Sequence, residues 1–478
     1  MKKQLLKIVS LSAVTFLTCL GAAGCNGNSD DGKTVVKFFG WGKAPEQRNF
    51  QIMVNAFMED NPDVKVVYEC VDPSNYDTAL QNRIKSLPDV FYMADYSFNK
   101  WVNTGRLLDI SSYVSEEERS KIWPVAINMY QYDLETQTLG KGPGLYGLSK
   151  DLGPYSIVYN KTMIKKIFEE KGMTPRYPDP STPMTWGEFS QYLEDLKYIN
   201  ESGERIWGIG SYEIMHAVYS NNADFWTEDV RTSRIGEKNF ADAIQFISNL
   251  TRDGLAPSYV DMKASNAYSK FINQTCLMTF MGPWDLAAFW QDTNFEFDVM
   301  PTPVGTAEGA VSTSWIGSVA LSCRKFSEKE KTKEEAAVRL AKYLTIGDRC
   351  AKLNYQLGQA QPNNMEIAKN DWVNNKDLDI ETIKSVANNA DWAKNLTTEK
   401  IQQPASKQVW VDITSANNQI RYHNRARYYL YNESLFENLI KELNSGVIFE
   451  GKDNAAEFCA NYNSTFQEAL DDNAAYYR

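Results

Sequence analysis

The sequence predicts an α/β protein built as two lobes, and three observations carry this. From residue 34 to 104 strand-like and helix-like segments alternate, the mark of a parallel sheet with right-handed crossovers. The 478 residues exceed what one ordinary hydrophobic core organises. Ser149 to Pro154, a polar link carrying Gly and Pro, lies between two strand-like pieces where the chain can cross from one unit to the next.

Thr34 to Phe39 (TVVKFF) reads as the first buried strand and breaks at Gly40-Trp41-Gly42. A helix follows over Glu46 to Asp60, a second strand over Val64 to Tyr68, a helix over Tyr76 to Ser86 and a third strand over Val90 to Met93. Asp95 falls just past the third strand, where it suits either the N-cap of a helix from Tyr96 to Thr104 or a ligand contact. Gly105 to Asp109 closes that helix. Ser115 to Tyr130 reads as further helix interrupted at Pro124, and a glycine-rich turn at Gly140 to Gly144 leads into the link.

The second unit has its own alternation. Thr162 is expected to cap a helix to Lys171, and Pro175, Pro178, Pro180 and Pro183 make the next loop too poor in N–H groups for regular structure. Thr185 and Glu188 form a capping box for a helix to Asn200. Trp207 to Gly210 reads as a short strand whose exit carries Tyr212, Tyr219 and Trp226. Amphipathic helices over Glu237 to Arg252 and Ala264 to Asn273 precede the stretch FINQTCLMTFMGPWDLAAFW, residues 271 to 290. In it Thr275 to Phe280 is a buried strand and Gly282-Pro283 ends it. Pro283 suits the first helical position, so Asp285 to Trp290 can continue as helix. Trp284 therefore sits at a strand-to-helix switch, the place where ligands bind in open α/β sheets. Its indole offers a flat apolar face and an N–H; from these residues alone it serves equally as a core plug or a ligand plate. Phe295 to Met300 and Ser318 to Cys323 follow as strands around a loop ending in Ser314-Trp315. A helix then runs to Ile346, the chain breaks at Gln361 to Asn364, and an Asn-rich helical tail has its clearest helices over Tyr428 to Asn444 and Ala455 to Leu470.

Residues 1 to 24 have signal-peptide architecture: Lys2, Lys3 and Lys7, then the apolar run Ile8 to Leu20, then small residues. The run is too short to span a bilayer. Ala22-Ala23-Gly24-Cys25 resembles the bacterial lipobox, with Ala22 where Leu is commonest. That resemblance implies a lipid on Cys25, a tether over residues 25 to 33, and a site on the extracellular face of a cell membrane, as in a Gram-positive bacterium. Without the leader the chain carries 47 basic and 61 acidic residues, a net of −14, which argues against nucleic acid as a partner and predicts no basic patch for anionic lipid. Cys70, Cys276, Cys323, Cys350 and Cys459 show no CxxC and no regular spacing, and only His216 and His423 supply imidazole. No metal, cofactor or disulfide framework is expected. The 26 Tyr and 12 Trp suit a surface that grips flat, half-apolar ligands such as sugars.

Several separated pieces together resemble the substrate-binding lipoproteins of bacterial ABC importers, in the extracellular solute-binding protein family that serves sugars and oligosaccharides. They are Leu87-Pro88-Asp89-Val90, Gly105 to Asp109, Tyr146-Gly147-Leu148 with Tyr159-Asn160, Thr185 to Glu188, Met278 to Trp284 and Glu335 to Leu344. One departure is Ser149, where the family usually has Pro. The resemblance covers roughly residues 34 to 360 and implies a type II periplasmic-binding-protein-like fold whose two α/β lobes close on a ligand about a multi-crossing hinge. Lobe one would hold residues 34–148 plus 295–345. Lobe two would hold 149–294 plus 346–478 with extra C-terminal helices, which in this family are commoner in members that take larger glycans.

The function implied is capture of a sugar or oligosaccharide and its delivery to transmembrane ABC permease subunits, by a monomer with no enzymatic activity. A sugar's C–H faces want an aromatic plate and its hydroxyls want charged or amide partners. By resemblance Trp284 falls on the family's stacking position, and the loops bearing Trp41, Asp95, Asp151, Trp315 and Asn363 face the same cleft. Tyr212 and Trp226 are added from lobe two. The competing function is a cell-surface glycoside hydrolase, which needs two carboxylates flanking the scissile bond. Asp95 and Asp151 are expected on separate lobes.

Overall fold

The computed structural model describes residues 32–227, 231–375, 380–387, 391–394, 396–397, 403–415, 420–424 and 433–476. The leader, Cys25 and the tether up to residue 31 lie outside them. The first sheet forms around β1 (Thr34–Trp41), which pairs in parallel with β2 (Val64–Val71) from Thr34↔Val64 to Trp41↔Val71 and with β3 (Val90–Ala94) at Phe38↔Val90. The crossover helices are α1 (Ala44–Asp60) and α2 (Pro73–Asn82). Every residue of β3 is buried, as expected of a central strand covered on both faces. α3 (Asp95–Val102) follows it directly, with Ala94 rather than Asp95 at the N-cap; Asp95 is the first helical residue, where a negative charge faces the positive end of the helix dipole.

The crossing is made of β4 (Leu148–Ser149) and β5 (Gly153–Pro154), then β6 (Ser156–Asn160) opens the second unit. α4 (Lys161–Glu170) begins there, but its cap is Asn160, whose Oδ1 accepts from Met163 N at 2.8 Å; the Thr162 hydroxyl instead accepts from Glu296 N at 2.9 Å. α5 (Trp186–Asp195) carries the expected Thr185–Glu188 box in both directions. Of the strand expected over Trp207 to Gly210, only Trp207 forms a bridge, to Cys276. α6 (Ile214–Ser220) is buried along its whole length and α7 (Lys238–Arg252) packs against it.

β7 (Met278–Met281) leads through a 3-10 turn at Pro283–Asp285 into α8 (Leu286–Asp292), the strand, break and helix expected around Trp284. β8 (Phe297–Met300) then pairs antiparallel with β6, so the second sheet is β7-β6-β8. Residues 297–300 therefore belong with the second unit and not with lobe one. β9 (Ser312–Gly317) and β10 (Val319–Cys323) carry the chain back, β10 pairing antiparallel with β3 and β4. The first sheet thus has the order β2-β1-β3-β10-β4.

α9 (Lys331–Ile346) packs on β1 and β10, and α10 (Asp348–Gln356) packs on α1, so the chain just past residue 346 lies with the first unit rather than lobe two. Trp372 and Trp410 join the same first core. β11 (Ile420–Asn424) pairs in parallel with β9. α11 (Glu433–Gly446) and α12 (Ala455–Tyr476) pack on each other, and α12 packs on α7; residues 428–432, expected to open the first of these helices, lie outside the described residues. Two large cores result, the first spanning the first sheet and one face of the second, the other covering the opposite face of the second sheet, and α1 touches α8. Among the described residues no helix is long and apolar enough to cross a membrane. Cys276, Cys323, Cys350 and Cys459 are buried free thiols, consistent with inert core residues.

Candidate functional site

Two segments pass between the units side by side, the β4–β5 link and the β9–β10 junction at Ser318, and residues 359–364 of the first unit run along them. Polar groups lock them together. The Ser318 hydroxyl lies 2.9 Å from the Ser149 hydroxyl and 3.1 Å from the Asp151 carbonyl oxygen. Asn363 Nδ2 donates to Ser149 O at 3.0 Å, and Leu152 bridges Gln361. Asp95 N donates to Ser318 O at 3.2 Å and the Asp95 carboxylate accepts from Ser318 N at 3.4 Å. From the first unit, Asn49 Nδ2 donates to Gln359 Oε1 at 2.8 Å. Asp95, Asp151 and Asn363 are all buried in this junction.

A buried cation sits at its centre. Lys150 Nζ lies 2.6 Å from Asp151 Oδ2 and 3.1 Å from Glu46 Oε1, with the Lys150 side chain only 3% exposed. Phe50 and Tyr92 present their ring faces to it at 5.1 and 5.4 Å. Burial pulls the Lys150 ammonium toward deprotonation, but Asp151 and Glu46 together outweigh it and hold the proton above the ordinary range. One ammonium shared between two carboxylates does less for the more distant one. Burial and the nearby Asp151 charge leave Glu46 raised even with Lys150 beside it.

The aromatic part lies alongside. Trp284, at the β7 exit, is parallel to Tyr155 within 2° at 5.6 Å between centroids, and Tyr155 stacks on Trp315 at 4.4 Å. Trp284 and Trp315 are 6.1 Å apart, so three near-parallel rings make one platform. Backbone without side chains makes room for the indole. A Cβ on Gly153 would stand 2.2 Å from Trp284 Cζ3, and one on Gly282 would stand 1.9 Å from it. Behind the platform His216 Nε2 is 3.0 Å from Tyr155 O; burial lowers its pKa to about 3, so the ring is neutral and donates to that carbonyl. Trp41, half-buried at the end of β1, packs edge-on against Tyr76 at 4.5 Å and Tyr92 at 5.1 Å.

Asp285, one residue past Trp284, is raised from 3.8 to about 7 by burial; nearby Lys43 opposes the shift and Glu46 adds to it. The folded protein therefore binds a proton that the unfolded chain releases, and this group's contribution to stability falls as pH rises from about 4 to about 7. Asp285→Asn removes a charge that is unfavourable at high pH. Its unfolding midpoint is expected to exceed the parent's by more at pH 8 than at pH 5 in thermal scans. An equal difference at both pH values would show that the carboxylate carries no such penalty.

The structure thus gathers Trp284, Trp315, Asp95, Asp151 and Asn363 at the junction, with Trp41 at the sheet end on the same side. Tyr212 and Trp226 stand elsewhere. Tyr212 lies edge-on to Phe246 and Phe280 in the second core, and Trp226 packs there against Phe436 and Phe466. Phe189, Phe246 and Phe280 enclose Tyr212, and the C-terminal helices cover Trp226 through Phe436 and Phe466. Sequence reasoning missed Tyr155, Glu46 and Lys150. A signal for Tyr155 was present: Gly153-Pro154-Tyr155 repeats the Gly-Pro-aromatic order of Gly282-Pro283-Trp284.

The family model for bacterial extracellular solute-binding proteins matches residues 42–345, which includes the platform, the Lys150 cluster and both links. The chain belongs to that family. Within it, a maltotriose-binding protein of Pyrococcus abyssi is 21% identical over 263 residues, 54% of this chain; the match spans about half the length of that relative, 51%. Among solved structures, an ABC substrate-binding protein from Listeria monocytogenes in complex with cycloalternan has a TM-score of 0.67 at 18% identity, covering 92% of this chain and 99% of that one. A cyclic α-maltosyl-1,6-maltose binding protein from Arthrobacter globiformis has a TM-score of 0.64 at 16% identity, covering 92% and 100%. The solute-binding fold is therefore the type II, two-unit arrangement of sugar-binding periplasmic proteins.

Proposed function

We propose that this protein captures a sugar or oligosaccharide between its two units and hands it to the membrane permease of an ABC importer, held at the extracellular face of the membrane by a lipid on Cys25. The observation that carries the sugar assignment is the Trp284–Tyr155–Trp315 platform beside the two links. Flat rings match the C–H face of a pyranose, and Trp284 keeps part of its surface open to solvent. The polar groups of the junction are the kind that bind hydroxyls more strongly than neutral partners do. Relatives named for maltotriose and solved with cycloalternan support an α-linked glucose oligomer as the first ligand to test. The lobes hinge at Ser149–Pro154 and around Ser318, where a few φ/ψ changes suffice for closure.

Maltotriose or cycloalternan at a hundred times its Kd is expected to stabilise the native state by about 2.7 kcal/mol, read as a rise in unfolding midpoint. The ligand should be recovered intact. No shift with any mono- or oligosaccharide would overturn the sugar assignment, and catalytic release of smaller sugars would replace it with glycoside hydrolysis.

A further inference from the structure

The strong negative charge of the chain predicts no basic surface, yet the fold assembles one at the end of the first sheet opposite the platform. A groove of about 670 Å³ opens where β3 begins, at the level of Lys37, and six cations line it against two carboxylates, Asp89 and Glu330. Both carboxylates are already engaged: Arg324 pairs with Asp89 at 3.0 Å and with Glu330 at 2.6 Å, and Lys333 pairs with Asp89 at 2.9 Å. Asp89 also accepts from Lys37 N at 2.8 Å. Lys37, Lys85, Arg106 and Lys325 remain as exposed cations, none of them in an ion pair among the described residues.

We propose that this groove is a docking surface for the headgroups of anionic phospholipid. Its position singles out this partner. β1 enters the fold on this rim, so Thr34 lies about 10 Å from Lys37 along an extended strand. The eight residues 26–33 before it reach at most about 28 Å. A lipid on Cys25 keeps Thr34 within that distance of the bilayer and the groove within about 40 Å, so this step rests on the anchor assigned above. Four unpaired cations facing an anionic surface then attract it, over a range of about 8 Å at physiological ionic strength. Tethering supplies the local concentration that lets so weak a contact persist. The consequence is a resting orientation with lobe one rim-down and the Trp41 end of its sheet turned away from the membrane.

The test uses residues 26–478, which keep every described residue and lack the lipid. Vesicles of phosphatidylglycerol mixed with phosphatidylcholine are sedimented with the protein at about 10 mM salt, where the Debye length is about 30 Å. Expected is at least roughly tenfold more bound protein than on phosphatidylcholine alone, a loss of that excess with added salt, and its abolition in K85E/R106E/K325E. A control of equal charge change on the second unit, K165E/K166E/K238E, should bind like the parent. No binding to the anionic vesicles, equal binding by the groove variant, or equal loss in the control would overturn the proposal. Displacement by millimolar inorganic phosphate at constant ionic strength would reassign the groove to free phosphate and likewise overturn it. Sugar titrations on the same variants report folding and the ligand function separately. Detergent partitioning of the full chain against Cys25→Ala reports the anchor, so failure of either earlier assignment is distinguishable from failure of this one.

Discussion

Lys150→Met is expected to destabilise the protein by about 3–5 kcal/mol, the cost of leaving buried carboxylates without their counter-ion. Lys150 serves Asp151 and Glu46 together, and its own side chain is 3% exposed, so solvent cannot take its place. Methionine roughly matches the length of the lysine stem, which keeps the cavity term small and isolates the charge. A total stability of 5–15 kcal/mol is usual for a folded domain, so the loss is a large share. Denaturant titration should show a lower midpoint. Adding Glu46→Gln to Lys150→Met should recover part of the loss, because one of the two stranded charges is then gone. A loss below about 1 kcal/mol would mean that water reaches the cluster. The links run beside these groups, so the same variant is also expected to change the pH dependence of ligand binding.

Trp284→Ala is expected to weaken binding of the sugar by about 2 kcal/mol, roughly 30-fold in Kd, the range of an aromatic hot spot. Trp284 stands partly buried at the edge of the platform, with its other face on the glycine backbone of the link and the ring of Tyr155. Trp284→Phe keeps a ring over the same backbone and should lose less. Isothermal calorimetry with the sugar that raises the unfolding midpoint makes the comparison. Unchanged affinity in Trp284→Ala would leave the indole with a packing role alone. Gly153 and Gly282 matter for the same reason, since a methyl group on either would occupy the indole's place.

Much of the fold was legible because its signals are local. The alternation from β1 to β3, the Thr185–Glu188 box, and the strand, Gly-Pro break and helix around Trp284 each depend on residues within a few positions of one another. Misreadings arose where two local candidates competed or where a partner was distant. Asn160 and Thr162 both suit a helix start, and the choice of Asn160 depended on Glu296 engaging Thr162 from across the unit. Tyr212 and Trp226 carry polar neighbours in sequence, and only the packing of α5, α7 and β7 on Tyr212 and of α11 and α12 on Trp226 shows that their rings are enclosed.

By itself the sequence determined where strands and helices form, where the chain breaks, and which aromatic residues stand at strand ends, because backbone preference and hydrophobic period are properties of short segments. Tertiary structure alone decided which strands share a sheet, moving β8 to the second unit and bringing β10 back beside β3. It also decided that Lys150 meets Glu46 from 104 residues away, that Tyr155 stacks with two tryptophans, and that four exposed cations collect on one rim of an acidic protein. These are contacts between residues far apart in the chain. Their energies come from burial and charge in three dimensions, which no short window of sequence contains.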